Sequence, residues 1–227
     1  MQSREDIVIV GLGEIAEIAM DYFSYDSPYK VVAFSAESSY IKDNTFLGLP
    51  IVELESITDY FSPKTYKIFV AIGYDSLNRG RARLYQKCKE KGYSFVSYIS
   101  SKAFIGSEVE IGENCFILEH NVVQRKAKIG NDVTLWSGNH IGHRTVIEDH
   151  CFFSSHIAIS GYCRIGSSCF WGINSCAADH VAIASDCLIG AGTVVLSDTS
   201  PGKVYRGNPA KAAHISSYSA FGIKMEE

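Results

Sequence analysis

An apolar residue recurs at every sixth position of this chain from Ile105 to Val195. Sixteen consecutive positions keep this register, which is far more than a chain with 46% hydrophobic residues would produce by chance. A period of six fits neither an amphipathic helix nor the simple alternation of a strand. It fits a hexapeptide solenoid, in which each hexad forms one short strand and a turn, and three hexads close one triangular coil.

Two further positions of the hexad support this interpretation. The residue four places after the apolar one is mostly small, and we expect it to fill a corner of the coil. Glycine often follows the apolar residue directly, and we expect these glycines to adopt the unusual φ of the turn. The count of cysteines is odd and no C-x-x-C pair occurs, so packing explains them better than a disulfide framework or a metal site. Five of the seven occupy the small position: Cys115, Cys151, Cys163, Cys169 and Cys187.

Charge and hydropathy exclude two classes of partner. The 227 residues carry a net charge of −4, and acidic and basic residues are interspersed along the chain. Nucleic-acid binding would need a basic stripe, which the sequence lacks. No apolar run reaches the length of a membrane span, and the first residues lack the pattern of a secretory signal. We therefore expect a cytoplasmic protein with no membrane span and no nucleic-acid partner.

A glycine-rich turn lies near the start of the chain. An apolar strand over residues 7–10 leads into Gly11-Leu-Gly13-Glu-Ile-Ala16 and then into an amphipathic helix that ends near Phe23. A G-x-G-x-x-A turn between a strand and a helix is typical of a nucleotide-binding βαβ unit, in which backbone N–H groups approach a phosphate. The simpler alternative is that the two glycines only make a tight turn.

The remaining elements limit what this first part of the chain can bind. We expect strands at residues 31–34, 67–72 and 95–99 and a helix over residues 77–91. About 100 residues precede the solenoid, which is enough for one mononucleotide-binding half and not for the two halves of a dinucleotide site. A nucleotide-linked substrate is therefore a better prediction than NAD. The predicted division is a Rossmann-like domain over residues 1–100, a solenoid over residues 101–200, and a C-terminal loop and cap over residues 201–227.

The hexads end at Pro201, and the segment that follows is rich in turn formers. Lys203, Arg206 and Lys211 place three positive charges near the last coil. One interpretation is an ordinary solvated exit loop. The other is a cationic lip for the phosphates of coenzyme A, because Lys and Arg bind phosphate oxygens well. We expect the tail from Ala212 onward to form a short cap or a frayed end.

Six of the seven histidines lie within the hexads, and one of them has a distinctive neighbour. His143 and Gly161 are three hexads apart, so they stack in adjacent coils, about 4.8 Å from each other. An imidazole beside a free backbone N–H suits acyl transfer, because the base takes the proton of the nucleophile and the amide stabilises the oxyanion. His120 and His156 are six hexads apart, roughly 10 Å, which is too far for one metal ion within a chain, although two chains could supply ligands to a shared site. A solvated or turn-bonded side chain is the simpler interpretation of each other histidine.

Three stretches carry a resemblance to a known family. They are residues 136–143 (Trp-Ser-Gly-Asn-His-Ile-Gly-His), residues 159–176, which end in Gly-Ile-Asn-Ser-Cys, and the Val-Tyr-x-Gly-x-Pro-Ala-Lys exit. With the hexads, they resemble the nucleotide-sugar N-acetyltransferases of the hexapeptide-repeat superfamily, such as those of bacillosamine synthesis. The resemblance covers nearly the whole chain. It implies a Rossmann-like N-terminal half-domain followed by a left-handed parallel β-helix.

The same resemblance implies roles for individual residues. It makes His143 the catalytic base and places the Gly161 amide against the carbonyl of the thioester. The positions that correspond to binding of the nucleotide sugar are Gly11, Gly13, Ser35, Glu37, Gly73, Trp136 and Asn139. The positions that correspond to binding of acetyl-CoA are Gly161, Ala191, Lys203, Arg206 and Pro209. The resemblance implies no metal, and it implies a homotrimer with active sites between neighbouring subunits.

Two positions depart from the family pattern. The bacillosamine-type relatives carry an acidic residue directly after the base, where it orients the imidazole, and this chain carries Arg144 there. Another acid or a carbonyl must then hold His143, or the substrate differs. Residues 35–37 are Ser-Ala-Glu where paired acids that read a uracil or thymine base are expected. The identity of the nucleotide base therefore stays open.

The function implied by the resemblance is an acetyl-CoA-dependent N-acetyltransferase acting on the amine of a UDP- or dTDP-linked amino-dideoxy sugar. An O-acetyltransferase for a hydroxyl of sialic acid or a polysaccharide would use the same base, and the N-terminal domain favours the nucleotide sugar. A γ-type carbonic anhydrase shares the solenoid, but its third histidine would fall at Gly161. Stoichiometric zinc in the purified protein would revive that alternative. A non-catalytic scaffold is the weakest alternative, because a nucleotide-type domain precedes the solenoid.

Overall fold

A computed structural model describes residues 4–224 of the chain, and its first part is an α/β unit. The longest helices have 12 residues, and no helix in this described part is long and apolar enough to cross a membrane. The elements in chain order are β1 (Glu5–Val10), α1 (Glu14–Tyr25), β2 (Tyr29–Ala36), a 3₁₀ turn (Ser38–Tyr40), β3 (Thr45–Phe46), β4 (Leu49–Glu53), α2 (Ile57–Tyr60), β5 (Lys67–Val70) and α3 (Arg79–Glu90).

The five strands of this unit form one sheet in the order β3-β4-β2-β1-β5. β1 pairs in parallel with β2 and β5, β2 pairs in parallel with β4, and the short β3 is antiparallel. Side chains of β1 alternate between two cores, Ile7 and Ile9 with α1 and Val8 and Val10 with α3. This double burial explains the continuous apolar run of residues 7–10. The strand order reverses at β1, where open α/β sheets place their ligand crevice.

Most of these elements match the expectations from the sequence. Strands cover residues 7–10 and 31–34 and most of residues 67–72, and α3 lies within residues 77–91. The β3–β4 hairpin and α2 were not predicted, because elements of two to five residues span too few periods to be recognised. Residues 95–99 do not form one strand. Phe95 makes an isolated bridge, and the two last residues already pair with the solenoid.

From Tyr98 the chain winds into a β-helix whose regular strands have two residues each. Partners in adjacent coils are three hexads apart, as Val122, His140 and Ala158 are. The strands are β6 (Tyr98–Ile99), β7 (Phe104–Ile105), β8 (Glu110–Ile111), β9 (Phe116–Ile117), β10 (Val122–Val123), β11 (Lys128–Ile129), β12 (Thr134–Leu135), β13 (His140–Ile141), β14 (Val146–Ile147), β15 (Phe152–Phe153), β16 (Ala158–Ile159), β17 (Arg164–Ile165), β18 (Phe170–Trp171), β19 (Cys176–Ala177), β20 (Ala182–Ile183), β21 (Leu188–Ile189) and β22 (Val194–Val195).

The apolar register of the sequence becomes the core of this β-helix. From Ile117 to Val195 every sixth residue is buried, and the largest of them stack, with the rings of Phe153 and Trp171 5.5 Å apart and nearly parallel. The small position four residues later is also buried, which confirms the corner role. The five cysteines at that position are free and buried. Burial raises the pKa of the Cys115 thiol to about 12, so it packs as an unreactive apolar group.

The expected role of the repeated glycines is wrong. Positive φ occurs three residues after the apolar position, and this turn is filled mostly by other residue types, for example Asn114 (φ 56°) and Asp132 (φ 57°). The glycines directly after the apolar residue are needed for close approach of the next coil. A Cβ at Gly172 would lie 2.5 Å from the backbone nitrogen of Ala191. Glycine is therefore required at these positions because the next coil leaves no space for a side chain. The φ of the turn does not require it.

The three long sheets of the β-helix present different outer surfaces. The docked sheet (β6, β9, β12, β15, β18 and β21, with two later strands) faces the α/β unit. The charged sheet (β8, β11, β14, β17 and β20) carries ion pairs such as Lys128–Glu110 at 2.9 Å. The open sheet (β7, β10, β13, β16, β19 and β22) is mostly apolar and no described residue covers it. Its outward residues are Phe104, Val122, His140, Ala158, Cys176 and Val194.

The α/β unit is joined to the docked sheet by aromatic and ionic contacts. The ring of Tyr74 lies 4.7 Å from Phe152 and 4.9 Å from Phe170. Deeper in the interface, Arg81 of α3 pairs with Asp132 at 2.7 Å, and both side chains are at most 3% exposed. Removing one partner would leave the other charge buried and unpaired, which typically costs about 3–5 kcal/mol. The two parts of the chain are therefore held in one fixed arrangement.

The C-terminal segment is more regular than the exit loop expected from the sequence. β23 (Lys203–Arg206) extends the docked sheet in parallel with β21, and β24 (Lys211–Ser216) returns antiparallel to it. The chain then forms the short helix α4 (Ser217–Ala220), whose buried Ser217 donates to the carbonyl of Asp186 at 2.5 Å. The tail thus forms a cap on the last coil, and residues 225–227 of the predicted cap lie outside the described part.

We predict that Gly166→Ala lowers the free energy of unfolding and that Gly80→Ala does not. A Cβ at Gly166 would lie 2.5 Å from the backbone nitrogen of Ser185, so the coils would have to separate, at a cost of about 1–3 kcal/mol. Gly80 lies in α3 with open space around its missing Cβ, so alanine there favours the helix by up to about 1 kcal/mol. Urea denaturation measures both changes. Wild-type stability of Gly166→Ala would contradict the close-approach role.

Candidate functional site

The predicted stacking of His143 on Gly161 is present in the structure. His143 lies in the turn after β13 and is exposed. A Cβ at Gly161 would lie 2.5 Å from Cε1 of the imidazole, so any other residue there would displace the ring. The missing side chain of Gly161 therefore creates the slot in which the His143 ring lies.

Gln124 orients this imidazole, and sequence reasoning missed it. Its Oε1 accepts the backbone N–H of His143 at 3.0 Å and lies 3.3 Å from Nδ1 of the same residue. The backbone N–H can only donate, so the facing atom is the amide oxygen, and this oxygen favours the tautomer with the proton on Nδ1. In that tautomer Nε2 keeps its lone pair. Gln124 lies one coil below His143 but 19 residues earlier, so the spacing of three hexads points to its neighbour Arg125 and not to Gln124 itself.

The amide of Gly161 is not free, which corrects the expectation from the sequence. Its N–H donates to Oδ1 of Asp179 at 2.8 Å. Asp179 lies three hexads after Gly161, in the turn of the next coil, and is exposed. The slot at Gly161 is therefore bounded by an imidazole on one side and a carboxylate on the other.

A ladder of rings continues from His143 up the same corner of the β-helix. The ring of Tyr162 lies 5.1 Å from that of His143, edge to face, and stacks on His180 at 4.9 Å. The guanidinium carbon of Arg144 lies 5.9 Å from the centre of the Tyr162 ring. Arg144 thus packs on an aromatic face and does not orient the imidazole. Its φ of 58° shows that it occupies the left-handed turn position.

The turn position also accounts for most of the other histidines. His120, His150, His156 and His180 all have a φ near 60°. Their recurrence follows from the geometry of the turn and needs no shared ligand. Among residues 4–224, no group of three or more His, Cys, Asp or Glu side chains is arranged to hold a metal ion.

Four predicted substrate residues lie together at the carboxyl edge of the N-terminal sheet. Gly11 (φ 141°) follows β1, and its N–H donates to the carbonyl of Ser35 at 2.8 Å. Gly13 is the N-cap residue of α1 and offers no side-chain cap, so N–H groups of the first turn stay available for an anion. The hydroxyl of Ser35 is fully buried and has no hydrogen-bond partner among the described residues. Gly73 follows β5, and a Cβ there would lie 4.0 Å from Ile15 of α1.

Glu37 is held by another contact in this structure, and its role as a ribose ligand stays a prediction. Its two carboxylate oxygens pair with the guanidinium of Arg83, each at 2.6 Å, and one of them also meets Lys87. These hydrogen bonds lower the pKa of Glu37 to about 2. The carboxylate ties the end of β2 to α3. Sequence reasoning could not find this pairing, because it joins residues about 50 positions apart that only the sheet topology brings together.

The predicted sugar contacts Trp136 and Asn139 do not point into an open site. Asn139 is 1% exposed, its Oδ1 accepts the N–H of Ile157 at 2.8 Å, and its own N–H donates to Asn121. Asn139 therefore links adjacent coils by hydrogen bonds inside the β-helix, and the prediction that it binds substrate is wrong. Trp136 packs against the apolar cluster beneath α1, so it joins the α/β unit to the solenoid.

The residues predicted to bind acetyl-CoA lie towards the last coil. Ala191 is exposed in a turn on one side of the open sheet, and Gly161 lies in a turn on its other side. Lys203 and Arg206 are exposed on β23 and make no ion pair among residues 4–224. Pro209 is exposed in the hairpin between β23 and β24. The open sheet spans the distance between the His143 corner and this end.

Comparison with known proteins finds acyltransferases. No family model matches the chain. The UDP-3-O-acylglucosamine N-acyltransferase of Bordetella pertussis is 31% identical over 114 residues, which are 48% of this chain and 30% of that protein. An acyl-[acyl-carrier-protein]–UDP-N-acetylglucosamine O-acyltransferase of Xylella fastidiosa is 29% identical over 109 residues, which are 44% of this chain and 41% of that protein. The chain spans less than half the length of these curated relatives.

Solved structures resemble the chain over most of its length. The acetyltransferase domain of PglB from Neisseria gonorrhoeae has a TM-score of 0.81 and 21% identity, covering 92% of this chain and 100% of the domain. PerB from Caulobacter crescentus, in complex with CoA and GDP-perosamine, has a TM-score of 0.80 and 25% identity, covering 92% of this chain and 97% of PerB. The predicted resemblance to sugar N-acetyltransferases of the hexapeptide-repeat superfamily is confirmed, and the strand arrangement fits their β-helix.

We predict that Gln124→Met shifts the tautomer of His143 and that Gln124→Glu does not. Methionine fills the space but offers no strong acceptor to Nδ1–H, so the preference for that tautomer falls. A typical net hydrogen bond of about 0.5–1.5 kcal/mol corresponds to a roughly three- to tenfold change in the tautomer ratio. Glutamate keeps an oxygen at the same place. The ¹⁵N chemical shifts of the imidazole report the ratio, and an unchanged ratio in Gln124→Met would show that Gln124 does not orient the ring.

Proposed function

We propose that the chain is an acetyl-CoA-dependent N-acetyltransferase acting on the amine of a nucleotide-linked amino-dideoxy sugar. The observation that carries this proposal is the exposed imidazole of His143, which is held through Nδ1 and packed over Gly161 with Nε2 free. An α/β unit with an uncapped helix N-terminus is fixed to the same solenoid. Resemblance favours a UDP- or dTDP-linked sugar. PerB binds GDP-perosamine, so GDP-linked sugars belong in the same test.

In the proposed reaction His143 acts as general base. Nε2 takes a proton from the amine as its nitrogen attacks the thioester carbon, and the Nδ1–H contact with Gln124 steadies the imidazolium that forms. The negatively charged oxygen of the tetrahedral intermediate accepts a hydrogen bond from the N–H of Gly161. This requires the Asp179 carboxylate, which accepts that hydrogen bond in the structure, to turn away. The C–S bond then breaks, and the coenzyme A thiolate leaves and takes up the proton from His143. No metal takes part.

The two substrates approach from different parts of the chain in this proposal. The nucleotide lies at the carboxyl edge of the N-terminal sheet, near Gly11, Gly13, Ser35 and Gly73, where the uncapped first turn of α1 offers backbone N–H groups to a phosphate. Acetyl-CoA lies along the open sheet, with its phosphates near the unpaired cations of the last coil and its thioester at Gly161. Lys203, Arg206, Ala191 and Pro209 mark that end.

A homotrimer follows from the same proposal. The open sheet is an apolar strip on one side of the β-helix, whereas the docked sheet is covered and the charged sheet carries ion pairs. Exposed Ile173 (46%) and Leu196 (59%) extend this strip on both sides. A contiguous exposed apolar surface is typical of a subunit interface. His143 lies at the edge of the strip, so a neighbouring subunit would complete the wall of the site.

We predict that Ala158→Glu dissociates this assembly and that Ala182→Glu leaves it intact. Both alanines are outward residues of two-residue strands, but Ala158 lies on the open sheet and Ala182 on the charged sheet. An unpaired charge in an apolar interface costs several kcal/mol, so association should weaken at least about tenfold. Sedimentation measures the mass of both variants. A monomeric wild-type protein, or a trimeric Ala158→Glu variant, would contradict the assignment of this face.

The function itself is tested by release of thiol from acetyl-CoA. UDP-, dTDP- and GDP-linked 3-amino and 4-amino sugars serve as acceptors, and the matching hydroxyl sugars serve as controls. We expect release with an amino sugar, and a loss of roughly 10²–10⁴ in rate for His143→Ala, the range for general-base catalysis. His156→Ala removes an exposed turn histidine from a different corner and should stay within a few-fold of wild type.

Other outcomes of this experiment point elsewhere. Release with hydroxyl sugars alone would assign the protein to sugar O-acetylation, the second candidate, which uses the same base. Near-wild-type turnover of a folded His143→Ala variant would remove that residue from the mechanism. No release with any acceptor would contradict the proposed acetyl transfer to nucleotide sugars.

A further inference from the structure

Within residues 4–224, Asp179 is the acidic residue that bonds the Gly161 amide, and the proposed mechanism requires only that it turns away. Its Oδ1 accepts the Gly161 N–H at 2.8 Å, and this is the side chain's one hydrogen bond among the described residues. The residue is exposed, in the turn after β19. The second carboxylate oxygen therefore has no protein partner in the described part of the chain, and the side chain can rotate away without breaking another contact.

Another corner of the β-helix contains a purely structural version of this contact. Asn131 caps the N–H of Glu113 at 3.0 Å, and Asp149 caps the N–H of Asn131 at 2.7 Å. There the capping side chains also bond each other, with Asn131 Nδ2 at 3.3 Å from Asp149 Oδ2. They form a continuous ladder that ties three coils together. Asp179 belongs to no such ladder, and its contact lies beside an exposed imidazole.

We propose that Asp179 is a reversible plug of the acyl-binding amide: its carboxylate competes with the carbonyl of the thioester for the N–H of Gly161. This inference rests on the proposed function, in which that amide receives the acyl group. The amide has one hydrogen, so the carboxylate and the thioester oxygen exclude each other. A carboxylate is a much stronger acceptor than a neutral carbonyl. The plug therefore weakens binding of acetyl-CoA and leaves binding of free coenzyme A unchanged, since free coenzyme A has no carbonyl at this place.

The contact also has a consequence for the empty site. Without the plug, the imidazole of His143 and the N–H of Gly161 would both face water in the empty site. With the plug, the Asp179 carboxylate keeps the Gly161 N–H hydrogen-bonded until the acyl group arrives. The carboxylate displaced by the acyl group remains at the same corner, next to the His143–Tyr162–His180 ladder. Asp179 thus acts on the acyl donor only through the Gly161 amide, by occupying it.

The test compares the affinities of acetyl-CoA and coenzyme A by calorimetry, using the full chain in its own oligomeric state. We expect Asp179→Ala to bind acetyl-CoA about three- to tenfold more tightly than wild type, which is the range for one net hydrogen bond. Coenzyme A should bind equally to both. Asp179→Asn keeps a neutral acceptor and should lie between wild type and Asp179→Ala, and it provides the comparison if the alanine variant does not fold.

The matched control is Asp149→Ala, which removes the cap of a backbone N–H at another corner. It should lower the stability without changing the ratio of the two affinities. An Asp179 variant in which both ligands shift equally, or neither shifts, would overturn the plug while leaving the proposed function intact. If wild type binds neither ligand, the proposed function fails and the plug fails with it.

Discussion

Main-chain hydrogen bonds between adjacent coils hold the solenoid together, and the other features of the molecule depend on this spacing. The N–H of Val122 donates to the carbonyl of Asn139 at 2.8 Å, and similar bonds continue along the three sheets. Each residue therefore lies directly over the one three hexads earlier, so side chains form columns. The columns inside the prism hold aliphatic groups, cysteines and asparagines. The columns at the corners hold the groups that are available for chemistry, and His143 shares its corner with Gly161, Asp179 and Tyr162.

Where a property follows from this column geometry, the sequence alone predicts it. The apolar register identifies the core and explains the buried cysteines, and the stacking of His143 on Gly161 follows from the same arithmetic. Asp179 obeys the same rule and could have been found by it, whereas Gln124 lies one residue off the rule, 19 positions before His143. Neither residue lies beside the base along the chain, where Arg144 is found. In a β-helix the neighbours that orient a side chain come from the coils above and below.

Properties that depend on the rest of the fold were not predictable in this way. Glu37 looks like a free acid at the end of a strand, but α3 brings Arg83 against it. Asn139 looks like a polar residue near the base, but the corner position places it inside the prism. The glycines after each apolar residue were assigned to the turn because glycine tolerates positive φ. The turn is filled instead by residues that accept this conformation at some cost, and contact between coils is what excludes a side chain.

The hairpin at the end of the chain controls the length of the solenoid. A β-helix ends in unpaired strand edges, and such edges recruit further strands. Here β24 turns back antiparallel on β23, and the connection between them bonds to Val194 of the last regular coil. At the other end, the carboxylate of Asp26 accepts the N–H of Ser101 at 2.8 Å and so caps the entry to the first coil. The molecule therefore carries its own terminators, without which identical prisms could polymerise end to end into a fibre.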